Sequence, residues 1–338
     1  MNIYPWQLPL WKRLTEVRQG IPHALLLQGR SGIGKLDLAK NLSQSLLCQT
    51  PDASGMACGV CASCGWFMQS NHPDYRLLTP VEEGDATEDE PAAIKKFGKK
   101  NQISIDQVRE LASFMGLSSH HSSGPRIVLI HPAEALNPSS ANALLKMLEE
   151  PPVGMMFILV SHQPQRLLPT IRSRCQKIDM PVPTHEVAMA WLNRQGIIDA
   201  DERLTYAGGA PLGLLQDSDI NYTQLTELWQ MLSKGIRLDP YAATPICTKV
   251  GMEVAVPALQ KWAYDLLACA IQFSEQAEVR YHPKSKVALQ GLAKDVNVRL
   301  LLDFQRKLDE ARRAANHPLN TELQLECLLL QYTQIFFR

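Results

Sequence analysis

The stretch Gly29-Arg30-Ser31-Gly32-Ile33-Gly34-Lys35-Leu36 decides the fold. Its glycines and lysine have the spacing of a phosphate-cradling loop, in which backbone N–H groups and a lysine ammonium surround phosphate oxygens. A working loop follows the lysine with Ser or Thr, whose hydroxyl holds Mg²⁺; here that residue is Leu36, which carries no oxygen. The flanks make the pattern specific. His23-Ala24-Leu25-Leu26-Leu27-Gln28 is a short apolar run suited to a buried parallel strand. Gly34 to Leu47 then places Leu36, Leu38, Ala39, Leu42, Leu46 and Leu47 at mostly helical spacing. Gly29, Gly32, Gly34 and Lys35 are therefore candidate residues of a degenerate nucleotide site. A ligand-free glycine turn shares the pattern, so ATP binding stays open.

Farther along, Arg126-Ile127-Val128-Leu129-Ile130 and Phe157-Ile158-Leu159-Val160 read as two more buried strands. Ser140 to Glu150 between them reads as a helix that Pro151 and Pro152 end. Strands alternating with helices predict a three-layer α/β domain with a largely parallel sheet. ATP hydrolysis needs an acidic residue at a strand end to hold Mg²⁺ and orient water. The strand ending at Ile130 runs into His131-Pro132 instead; Glu134, a few residues later, is the alternative acid but is expected to project from the turn beyond the strand. With both Leu36 and His131 at metal-handling positions, the chain is predicted not to be an ATPase.

Four of the eight cysteines are clustered: Cys48, Cys58, Cys61 and Cys64. Such spacing in a chain without secretory features reads as metal binding rather than a disulfide framework. Four thiolates suit tetrahedral Zn²⁺, and a full shell makes the ion structural. An iron–sulfur cluster is the competing ligand; the remote Cys48 and the lack of a downstream Cys-Pro favour zinc. His72 is a spare ligand, although Asn71-His72-Pro73-Asp74 reads as a turn. Cys175, Cys247, Cys269 and Cys327 are expected to be small buried apolar residues.

The chain has 338 residues, with Lys plus Arg and Asp plus Glu equal at 34 each, so no general electrostatic footprint invites nucleic acid or an anionic membrane. No apolar run approaches the ~20 residues of a membrane helix, and a soluble, cytoplasmic protein is expected. Glu82 to Asn101, six acidic residues before four lysines, reads as a solvated surface loop. Beyond Met180-Pro181-Val182-Pro183 the strand signal fades. Short helices are expected over Val187 to Gln195 and Ile197 to Ala207, and longer ones over Val256 to Phe273, Val298 to Ala315 and Leu323 to Phe336. Ile171-Arg172-Ser173-Arg174-Cys175 has two readings: surface arginines paired with carboxylates, or an arginine finger reaching ATP on a neighbouring subunit.

In order, the glycine loop, the four-cysteine module, Ser140 to Lys146 through Glu149-Glu150-Pro151-Pro152, and Ser173-Arg174-Cys175 closely resemble bacterial clamp-loader subunits of the AAA+ class. The likeness covers essentially the whole first domain and continues more weakly through Asn316-His317-Pro318-Leu319-Asn320. It implies an α/β P-loop (AAA+) domain over 1–180 with an inserted zinc module at 48–64, a small helical lid domain over 181–215 and an all-α collar domain over 216–338. Two branches of the family carry both the cysteine module and Ser-Arg-Cys. One is the ATP-hydrolysing gamma/tau subunits, and the other has an inactive nucleotide site. Leu36, His131, the arginine-free segment Gly208 to Gly213, and the opening Tyr4-Pro5-Trp6 favour the inactive branch.

The resemblance implies a hetero-oligomeric ring with gamma/tau and delta subunits that places the sliding clamp on primed DNA for DNA polymerase III. The chain would then be a non-catalytic subunit of a DNA-directed DNA polymerase holoenzyme. Arg174 would enter the ATP site of an adjacent gamma/tau subunit. Lys35 is a departure from a fully lost site. The alternatives are an active gamma/tau-type ATPase and a stand-alone iron–sulfur redox protein.

Overall fold

Parallel pairing of five short strands organises the first of two compact units, Met1–Trp191 and Leu192–Arg338. The structure is a computed structural model describing residues 3–16, 20–80, 102–116, 124–216, 219–272, 278–314 and 320–336. The charged segment Glu82 to Asn101 and residues 316–319 lie outside the described residues.

The first unit opens with helix α1 (Leu8–Glu16), then β1 (Ala24–Gln28), α2 (Lys35–Leu47), α3 (Ala62–Met68), β2 (Tyr75–Leu78) and α4 (Ile105–Gly116). It continues through β3 (Arg126–Ile130), α5 (Pro138–Glu149), β4 (Met155–Ser161), α6 (Pro169–Arg174) and β5 (Gln176–Asp179); the division between the units falls inside α7 (His185–Arg194). The sheet order is β2-β3-β4-β1-β5, every pair parallel, with Ala24 opposite Phe157 and Leu25 opposite Gln176. The α/β reading with a parallel sheet holds.

The three inner strands are buried on both faces, which is why they read as unbroken apolar runs. Alternation splits their side chains. Leu26, Val128, Ile130, Phe157 and Leu159 share one core with Leu111 of α4, Leu144 and Leu148 of α5, and Ile171 of α6. Helix α2 packs against β1, β3 and β4 from the other face. Helix α5 is locally well specified: Asn137 caps it by accepting from the Ser140 amide at 2.8 Å, Pro138 occupies its first position, and Pro151 and Pro152 follow its end.

The described residues of the second unit form helices and turns. The helices are α8 (Ala200–Tyr206), α9 (Gly213–Gln216), α10 (Asp219–Leu232), α11 (Pro240–Val250), α12 (Met252–Gln272), α13 (Lys286–Ala293), α14 (Val298–Ala314) and α15 (Thr321–Gln334). Its core gathers Leu259, Trp262, Leu266, Leu301, Leu329 and Tyr332. Two groups of buried polar side chains there are paired, as a low-dielectric interior favours. Trp262 donates to the Tyr332 hydroxyl (2.9 Å), which donates to the Leu232 carbonyl (2.8 Å). The buried Asp265 carboxylate accepts from the amides of Arg280, Tyr281 and His282 and from His282 Nδ1 at 2.8 Å, pinning that turn to α12.

Candidate functional site

The glycine loop leads from β1 into α2, and its conformation needs glycine at two places. A side chain on Gly29 (φ +151°) would meet the Met180 carbonyl oxygen at 2.5 Å. One on Gly34 (φ +82°) would meet Gln7 at 2.6 Å and the Tyr4 ring at 2.7 Å. Gly34 gives α2 no side-chain cap, so the first amides of the helix face the loop. Lys35 turns inward: it is 2% exposed and its ammonium donates to the Arg30 carbonyl at 2.5 Å. Burial lowers its pKa to about 8, against the opposing pull of Glu134.

The segment before α1 closes on this loop. Trp6 donates to the Ile33 carbonyl at 2.9 Å, and the Gln7 amide donates to the carbonyls of Ile33 (3.1 Å) and Gly34 (2.7 Å). The Tyr4 hydroxyl donates to Asp37 at 3.2 Å. The Tyr4 and Trp6 rings stack at 5.0 Å, and Trp191 meets both edge-on. Sequence reading registered Tyr4-Pro5-Trp6 as a family mark, without its grip on the loop.

At the strand ends, His131 after β3 and His162 after β4 face each other, Nε2 to Nε2, at 3.2 Å. Burial holds both below the ordinary imidazole range, His162 at about 4, with the Lys35 charge adding to the effect on both. Both rings are therefore neutral at pH 7, and one can donate to the other. Glu134 does not reach into the open; it accepts from the His162 amide at 2.9 Å. The corner thus offers a divalent cation neither a hydroxyl at position 36 nor a carboxylate at position 131. Nothing in the sequence pattern pointed to His162.

Arg174 sits elsewhere, at the last residue of α6. It pairs with Glu149 of α5 at 2.6 Å and donates to the Thr170 carbonyl at 3.0 Å while staying 36% exposed. Cys175 beside it is buried, and its thiol is pushed up to about 11.

The cysteine module joins the end of α2 to the start of α3. Cys48 caps α2, and Cys61 caps α3 with its sulfur accepting from the Cys64 amide. All four sulfurs lie within 4.8 Å of one another, with Cys48–Cys61 at 3.9 Å and Cys58–Cys64 at 4.0 Å. Tetrahedral thiolates about 2.3 Å from one ion stand ~3.8 Å apart, so the set could hold a metal ion. The Cys58 amide also points at Cys48 Sγ (3.3 Å) and the Cys61 amide at Cys58 Sγ (3.4 Å), contacts that favour thiolates. His72 is committed elsewhere: Nδ1 accepts from the Asp74 amide and Nε2 contacts the Ser63 hydroxyl at 2.9 Å. Among the scattered cysteines, Cys175, Cys247 and Cys269 are buried as expected, but Cys327 is exposed. It lies on the outer face of α15, where helical periodicity alone did not exclude a buried position.

A central parallel strand feeding a glycine loop into a helix, within a five-stranded parallel sheet flanked by helices, defines an α/β chain. A family model described as DNA polymerase III, delta subunit, matches residues 8–184. DNA polymerase III subunit delta' of Pseudomonas aeruginosa is 34% identical over 99% of this chain and 98% of its own length. The Escherichia coli protein of the same name is 36% identical over 64% of this chain and 62% of its own. A gamma subunit-related protein of Thermotoga maritima is similar in structure over 97% of this chain and 99% of that one, at 20% identity and a TM-score of 0.44. The chain belongs to the DNA polymerase III delta-prime family. No helix among the described residues is long and apolar enough to cross a membrane.

Proposed function

We propose that the chain is the non-hydrolysing delta-prime subunit of a cytoplasmic clamp loader, assembling with gamma/tau and delta subunits to place a sliding clamp on primed DNA. One observation carries the non-hydrolysing reading: Lys35 is turned onto its own loop while Leu36 and the neutral His131–His162 pair stand at the metal-handling positions. Arg174 acts as an arginine finger on ATP held by an adjacent subunit. Its exposure at a helix end and its permanent charge support that role. Residues 181–215 serve as the lid and 216–338 as the collar that joins the subunits.

Cys48, Cys58, Cys61 and Cys64 hold one structural zinc ion, which keeps the link from α2 to α3 folded. A multi-iron cluster would divide the thiolates among two or more irons and hold sulfurs on different irons farther apart than these stand. Elemental analysis of the purified chain is expected to find about one zinc per chain and no iron.

Mixing the full chain with gamma/tau and delta subunits tests the assignment. A stable complex that loads clamps is expected, with the isolated chain turning over no ATP. Turnover by the isolated chain would favour a gamma/tau-type ATPase, and failure to assemble would overturn the role.

A further inference from the structure

Arg174 is held in place by acceptors from two helices. Its Nη2 lies 2.6 Å from Glu149 Oε1, while Nη1 donates to the Thr170 carbonyl at 3.0 Å and contacts the Ser173 hydroxyl at 3.4 Å. Glu149 closes α5, Arg174 closes α6, and the two helices pack together. An arginine is favourable at a helix C-terminus, but a glutamate there faces the negative end of the macrodipole. Glu149 is followed by Glu150, which adds like charge beside it. Lys146, one turn back, is the basic residue of that last turn. A locally disfavoured residue with one specific distant partner marks a position kept for something other than helix stability.

Stability is a poor explanation. The two side chains are 36% and 48% exposed, and pairs in such surroundings contribute little to folding. What the pair does is restrict a long side chain that otherwise samples many rotamers. Guanidinium has five N–H donors. The three contacts described leave donors over, so a phosphate oxygen can bind without displacing Glu149.

We propose that Glu149 is a positioning residue that fixes the Arg174 guanidinium, through their ion pair, in the orientation it presents to an adjacent ATP site. The proposal rests on Arg174 acting as a finger.

The test uses the full chain assembled with gamma/tau and delta subunits, clamp and primed DNA, and measures ATP turnover. Replacing Glu149→Ala is expected to lower kcat roughly 10- to 100-fold, the scale of a misplaced catalytic group. The KM for ATP, complex assembly and the melting temperature of the chain should stay unchanged. Glu149→Gln, whose amide oxygen still accepts from Nη2, should keep most of the rate. The pair E149A/R174A should be no slower than R174A alone, since the glutamate acts through the arginine. Wild-type or faster turnover in E149A, with R174A impaired, overturns the positioning role and leaves the finger standing. Wild-type turnover in R174A overturns both.

Discussion

Lys35 and Arg174 are both cations at helix termini with a glutamate nearby, yet the first unit treats them in opposite ways. Lys35 begins α2, where the helix dipole disfavours a cation. It is buried, its pKa falls to about 8, and its hydrogen bond goes to its own loop. Arg174 ends α6, where the dipole favours it, and it remains exposed on a carboxylate and a carbonyl. The imidazoles beside Lys35 are neutral, whereas the group beside Arg174 is a carboxylate. One corner has drawn its charge inward and the other keeps it at the surface. On the proposed reading, the loop corner no longer serves ATP hydrolysis while Arg174 offers its charge to a neighbouring subunit.

The largest effect expected from breaking this contrast is at Arg174. Arg174→Ala should lower ATP turnover by the assembled complex by about 10³- to 10⁵-fold, the range for arginine fingers in other NTPases. Arg174→Lys should recover little, because an ammonium lacks the planar fork. Turnover measured on purified, intact complexes decides it.

A smaller effect concerns acid. Burial lowers His131 and His162 in the loop corner, and His282 in the second unit; His162 falls from 6.5 to about 4. Below pH 6.5 the unfolded chain takes up protons that the folded chain refuses. The associated stability is therefore fully present above pH 6.5 and lost as pH falls through about 4. For His162 it amounts to about 1–2 kcal/mol after allowing for solvent screening. Denaturant unfolding of the chain near pH 7 and near pH 5 should show the loss, and His162→Gln should flatten it. An unchanged slope would mean that the pair is not held neutral.

The smallest expected effect is from restoring metal ligands. Leu36→Thr combined with His131→Asp should leave ATP turnover by the isolated chain at background in a phosphate-release assay. Glu134 stays engaged with the His162 amide, and Gly208 to Gly213 still lacks an arginine. Appreciable turnover would mean that these two residues alone separate the chain from an ATPase.

The inner strands were legible because they are buried on both faces: Leu25-Leu26-Leu27, Ile127 to Ile130 and Phe157 to Val160 show nothing but apolar side chains. The edge strands escaped notice. Tyr75–Leu78 and Gln176–Asp179 are four residues each, with mostly outward-facing side chains, so neither an apolar run nor an alternation stands out. The cysteine cluster was legible because its members are close in sequence. The exposed Cys327 was misread because a single apolar-type residue on a helix does not reveal which face it occupies.

By itself, the sequence determined the glycine loop and the strand and helix around it, since local spacing and backbone freedom carry that signal. It also determined the loss of an oxygen at Leu36 and the four-thiol set, which are matters of residue chemistry. Only the tertiary structure set His131 against His162, closed Gln7 and Trp6 on the loop carbonyls, and joined Glu149 to Arg174. Each of these contacts links residues from different elements, and packing of the sheet and its helices alone decides which side chains meet.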